Sequence, residues 1–140
     1  LFAAVCEELH GEAEQAILAD ADAAPDGWQA VTDGCLAFLD FMVRPDVRRI
    51  LILEAPTVLG WAAWNEMDRR HGFGLLIDGV EAAVAEGSLR GEPDILAVMI
   101  NGALNYAVVW AGQSQEPRAL PRLKAGFVSL MESLRNQAAR

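Results

Sequence analysis

Apolar residues recur at three- and four-residue steps along most of the chain, and no stretch alternates apolar with polar residues as a strand would. The pattern predicts six helices. The first covers residues 1–20, with Phe2, Val5, Cys6, Leu9, Ala13, Ala16 and Ile17 on one stripe and Glu7, Glu8, Glu12 and Glu14 on the wet side. The second starts at Asp26, a good N-cap with Gln29 three residues later. It carries Trp28, Val31, Cys35, Phe38, Leu39 and Met42, and it stops at Arg44 and Pro45. The third spans 46–55, where Val47, Ile50, Leu51 and Leu53 are apolar, and Pro56 ends it. The fourth runs over 61–86, with a break expected near His71 because Gly72 and Gly74 weaken it, and Gly87 caps its end. The fifth covers 93–112 and the sixth 119–137, the latter with a stripe of Leu120, Leu123, Phe127, Leu130, Met131 and Leu134. Short connections between six helices predict an all-α bundle.

Composition adds a surplus. The chain has 140 residues, enough for one domain, and is 53% hydrophobic. That apolar surface is more than a single bundle of this size needs, and a self-association seam or an internal cavity would use it. Eleven basic against twenty acidic side chains give 11 − 20 = −9. A domain so acidic repels phosphate backbones and anionic membranes, so it is not itself a nucleic-acid or membrane binder. Residues 95–112 approach membrane-spanning length, but Asn101 and Asn105 interrupt them, and we expect a helix buried on all sides in a soluble protein. Cys6 and Cys35 match no metal-ligand spacing and are expected to be reduced core thiols. No leader peptide is expected at the start, which reads as the beginning of a helix.

Catalytic constellations are lacking in the pattern. His10 and His71 have no partner at metal-binding spacing, Ser88 and Ser114 sit in turns, and the Gly72–Gly74 stretch is too short for a phosphate loop. No enzyme activity, cofactor or metal is expected. The remaining chemistry is aromatic and amide. Trp61 and Trp64 are three residues apart, Phe38 and Met42 four apart, and Asn101 and Asn105 lie four apart on the most apolar helix. Large apolar side chains with a few polar groups line small-molecule pockets, although each residue alone fits an ordinary core. On the fifth helix, Gly102, Ala103, Ala107 and Ala111 allow close helix approach, and Leu123, Phe127, Leu130 and Leu134 ridge the sixth. Two such helices from each of two protomers would form a four-helix bundle.

The middle of the chain is similar to a known pattern. A basic pair (Arg48, Arg49), an aliphatic run (Ile50 to Leu53), the step Glu54, Ala55, Pro56 and then Leu59, Gly60, Trp61 resemble the sixth-to-seventh helix region of TetR/AcrR-family regulators. The continuation from Trp64 through Arg69, Arg70, His71 and Gly72 to Leu76, and the Gly102 to Asn105 stretch, resemble them too. The resemblance implies the family's six-helix C-terminal ligand-binding and dimerisation domain, spanning residues 1–140 as one unit, without its N-terminal helix-turn-helix head. It implies a cytoplasmic homodimer of a transcriptional repressor that reaches operator DNA only through that head. The implied dimer interface is Ala103, Ala107, Trp110, Ala111, Leu123, Phe127, Leu130 and Leu134. The implied pocket for a small, mostly apolar effector draws on Phe38, Met42, Thr57, Trp61, Trp64, Asn101 and Asn105. Glu54 would serve a cationic ligand or pair with Arg48 or Arg49, and Pro56 with residues 57–60 would couple the pocket to the first helix. A dimerisation module without ligand, or a small helical enzyme with an apolar pocket, are the alternatives.

Overall fold

A computed structural model describes residues 1–136, and its regular elements are all helical. They are α1 (Phe2–Asp22), α2 (Gly27–Met42), α3 (Pro45–Arg48), a π-helical segment (Arg49–Glu54), α4 (Ala55–Leu59), α5 (Trp61–Arg70), α6 (Gly72–Glu86), α7 (Pro93–Gln113) and α8 (Ala119–Ser133). The only extended pairing among the described residues is a single bridge between Leu89 and Arg135. The sixth predicted helix therefore ends earlier than expected, and its predicted last residue, Gln137, lies outside the described residues.

Local chemistry explains most boundaries. The Asp26 carboxylate accepts from the Gln29 N–H at 2.8 Å, which caps α2. The reciprocal half of a capping box is absent, because the Gln29 amide turns to Asp33 instead. Gly87 ends α6 in the left-handed region, with φ 90°. Pro93 opens α7, where its missing N–H leaves no helical bond unmade. The fourth predicted helix divides at His71 into α5 and α6.

The third predicted helix departs further from expectation. Its middle widens to the π repeat: Ala55 donates to the Ile50 carbonyl, five residues back. The next donor in that register belongs to position 56, a proline with no N–H, so the Leu51 carbonyl loses its helical partner. The indole Nε1–H of Trp64, on α5, donates to that carbonyl at 2.9 Å. One side chain thus closes the gap that Pro56 opens, and it ties α5 to the π segment.

Helix α2 is the central rod, in contact with α1, α6, α7 and α8. Trp28, Val31, Cys35, Leu39 and Met42 are buried along it, and they meet Val47, Leu51, Val80, Val108 and Met131 in the core. The Trp28 indole donates to the Met131 carbonyl at 2.7 Å and Arg135 lies over its ring, which anchors α8 to α2. Gly27 is required there: a Cβ would sit 2.8 Å from the Ala83 backbone of α6.

Two faces differ from the periodicity reading. On α1, Val5 is exposed and His10 is buried beside Cys6 and Ala13, so the inward stripe is rotated toward a histidine that the apolar pattern skipped. Helix α7 is not enclosed on all sides. Ala97, Ile100, Leu104 and Val108 are buried, whereas Val98, Met99, Ala103 and Tyr106 face outward, Met99 at 69% and Tyr106 at 70% exposure. A pattern that is apolar all round does not by itself say that the helix's own chain covers every side.

Candidate functional site

Four helices leave space between them. A cavity of about 310 Å³ lies between the second half of α1 (Ile17, Leu18, Ala21), α2 (Ala30, Val31, Gly34, Cys35, Phe38), α6 (Gly72, Leu75, Leu76, Gly79) and α7 (Asn101, Leu104). Its volume sits at the lower end of the range for small-molecule sites. Glycine makes much of this room. At Gly34 a Cβ would come within 3.2 Å of Ile17, and at Gly79 within 3.4 Å of Val31. The walls are apolar, with Asn101 and Asp78 the polar exceptions, and exposed Leu18 and Asp78 mark the solvent side. Cys35 is one wall residue, and complete burial pushes its thiol up to about 12, so it is no nucleophile at neutral pH.

A much smaller void, about 10 Å³, adjoins the cavity and shares Ile17, Phe38 and Gly72 with it. Its lining is more polar: His10, Glu14, Asp68 and Asn105, with Met42 and Trp64 among the apolar members. Asp68 accepts a long hydrogen bond, 3.5 Å, from the Asn101 amide. Burial pushes the Asp68 carboxyl up from the usual range, against that hydrogen bond. His10 is 8% exposed and its Nε2 has no hydrogen-bond partner. Burial, and then the charge on His71, hold it down to about 4, so the His10 ring is neutral.

At the edge of this void His71 clasps α1 to the α5–α6 junction. Its Nε2 lies 2.5 Å from Glu7 and its Nδ1 2.5 Å from Glu14, about two helical turns apart on α1. Ionised carboxylates only accept, so the ring donates from both nitrogens and is an imidazolium. Burial opposes that charge, but the bonds to Glu7 and Glu14 outweigh it and raise the His71 pKa. The same bond, with Arg70 at 2.6 Å, lowers that of Glu7. The neutral His10 ring stacks on His71 with centroids 5.1 Å apart.

The structure scatters the residues singled out from the sequence. Phe38 lies on both spaces, Asn101 on the larger, and Met42, Trp64 and Asn105 on the smaller. Thr57 and Trp61 line neither. Thr57 is exposed on α4, and Trp61 is 69% exposed at the start of α5, its ring resting on Trp64 at 5.1 Å. Trp61 directly follows Gly60, whose φ of 84° turns the chain between α4 and α5, and the inward position falls to Trp64. Glu54 faces Arg49 at 3.8 Å and points to no cavity. The sequence reading missed His10, Asp68 and the glycines at 34, 72 and 79. The one signal for the clasp was the number of carboxylates on α1, which read as a solvated face.

A second hollow, about 290 Å³, runs between α7 and α8 on the outer side. Ala103, Ala107, Trp110, Leu123, Phe127 and Leu130 line it, together with Arg122 and Gly126. Leu134 instead packs against the core, and Ala111 is half-buried outside the groove.

Residues 28–134 match the family described as "Tetracyclin repressor-like, C-terminal domain". The chain belongs to that family. The match begins at Trp28 on α2 and ends just after α8, so it takes in the α2, α6 and α7 walls of the cavity and the outer groove, while α1 lies before it. No curated protein matches the chain. Tetracyclin repressor-like C-terminal domains are regulatory, with ligand-binding and dimerisation roles, and an all-α bundle with an internal apolar space is consistent with that class.

Proposed function

We propose that this domain senses a small, mostly apolar effector and dimerises, and that it governs a separate helix-turn-helix head on the same polypeptide in a cytoplasmic transcriptional repressor. The observation that carries the reading is the 310 Å³ cavity, because α1 forms one of its walls. A ligand there touches Ile17, Leu18 and Ala21 directly, and α1 is the helix through which a preceding head would be moved. The ligand shifts DNA affinity only by the difference between its affinities for the two positions of α1. The His71 clasp holds one of those positions. Catalysis plays no part in this reading, and operator DNA is contacted by the head alone.

Two protomers pair in this proposal through α7 and α8, with Ala103, Ala107, Trp110, Leu123, Phe127 and Leu130 in the seam. Exposed Met99, Tyr106 and Val98 extend the same apolar surface beyond the groove, which suits a twofold, self-complementary contact.

Nile red, a neutral apolar dye, tests the cavity. Its fluorescence should rise on binding to the native domain and stay at the buffer level with Ala21→Trp or Ala30→Trp, variants whose indoles fill the space from α1 and α2. Equal binding by native and filled variants, with helical content preserved, would remove the cavity as the effector site. Sedimentation tests the seam: the native domain should run as a dimer at micromolar concentration and Ala107→Arg as a monomer.

A further inference from the structure

The inner end of the cavity is not simply apolar. Gly72 lies on both the cavity and the small void, and a Cβ placed there would be 3.5 Å from Asp68 Oδ1. The missing side chain at position 72 therefore leaves the Asp68 carboxylate facing the passage between the two spaces. Around it converge Asn101 and Asn105 from α7 and, from α1, a buried His10 whose Nε2 has no partner.

The charges do not cancel at this end. Glu14 also borders the void, but its carboxylate is already bonded to His71. Glu7 is met by both His71 and Arg70. Asp68 has only the Asn101 amide at 3.5 Å. The His71 charge acts on Asp68 from a distance and, like the Asn101 bond, favours the carboxylate, but no cation is bonded to it, and the cost of burial outweighs both and moves its pKa upward. The void of about 10 Å³ has room for at most one water, and an ammonium group is of similar size.

We propose that the effector is a lipophilic amine whose protonated head occupies this inner end, with Asp68 as counter-ion and its apolar body in the 310 Å³ cavity. An ammonium has three N–H donors. Asp68 accepts one, an Asn101 or Asn105 carbonyl a second, and His10 Nε2 the third in its Nδ1–H tautomer. An alcohol would satisfy fewer of these acceptors and leave the carboxylate without a partner of opposite charge. A carboxylate ligand would be repelled by Asp68. This inference rests on the cavity being the effector site.

Octylamine, octan-1-ol and octanoate, titrated calorimetrically at pH 7, separate the two claims. The amine should bind at least tenfold more tightly than the alcohol, and octanoate most weakly. Asp68→Asn, nearly the same shape, should erase the amine's advantage and leave binding of the alcohol within about twofold. Gly72→Ala, whose methyl would narrow the passage without a clash, should reduce the amine's advantage several-fold while the alcohol still binds. Equal affinity for amine and alcohol in the native domain overturns the amine assignment and leaves an apolar effector site standing. An amine advantage that survives Asp68→Asn, in a variant of native thermal midpoint, overturns it too. Failure of all three ligands to bind counts against the cavity itself, and the amine assignment falls with it.

Discussion

Trp64→Phe should destabilise the domain mainly through an atom that is not on the tryptophan. The indole N–H meets the Leu51 carbonyl, which Pro56 leaves without a donor in the π register. Phenylalanine keeps an aromatic ring but abandons that carbonyl. An unsatisfied buried acceptor costs about 1–3 kcal/mol, and half-buried Trp64 places this one toward the lower end. Lost ring area adds a similar amount, for a total of about 2 kcal/mol. With a urea slope of about 2 kcal/mol/M, the midpoint should fall by about 1 M, measured at one fixed protein concentration. The cause can be isolated with Pro56→Ala, which restores an N–H opposite Leu51. In that background Trp64→Phe should cost about 1 kcal/mol less. Equal costs in the two backgrounds would refute the assignment of the indole to the carbonyl that the proline orphans.

Three further outcomes follow from the ionisable groups. His10 is held neutral, down to about 4 from 6.5, so its contribution is full above pH 6.5 and is lost as pH falls toward 4, a span worth about 3 kcal/mol. His10→Phe should therefore gain on the native domain by about that amount between pH 7 and pH 4 in urea titrations, and a constant difference would contradict the burial argument. His71 has the opposite sign: its raised pKa makes the clasp strongest below pH 6.5, and the contribution fades as pH climbs through the folded value. Its ring resonances should titrate above 6.5 by NMR, and Glu14→Gln should lower that midpoint; an unmoved midpoint would dissociate the pair. Cys35, pushed up to about 12, and buried Cys6 should ignore Ellman's reagent at pH 8 until denaturant is added, and rapid labelling of the folded domain would show the wall to be open.

What the sequence disclosed was what adjacent residues decide. The Asp26 cap, the left-handed Gly87, the opening prolines and the break at His71 all act within a few residues, and each was legible. The family pattern around Arg48 to Trp61 was legible for the same reason. The polar groups at the site were not. Glu7 and Glu14 find His71 some sixty positions away, and no helical period records such a meeting. Trp61 and Trp64 share a stripe, yet a single positive φ at Gly60 separates an exposed ring from one that plugs a helix. Space is harder still to read, because the cavity depends on side chains that positions 34, 72 and 79 do not have.

Helix α7 has two neighbours to answer to. Asn101 and Leu104 look into the cavity, while Ala103 and Ala107, on the next stripe of the same rod, look into the outer groove. In a dimer joined along that groove, each cavity is backed by an α7 whose other side lies at the seam. Filling one cavity displaces the α7 that lines it against its counterpart across the seam, so the two sites should not titrate as independent equals, and the binding isotherm of the dimer should depart from a simple hyperbola.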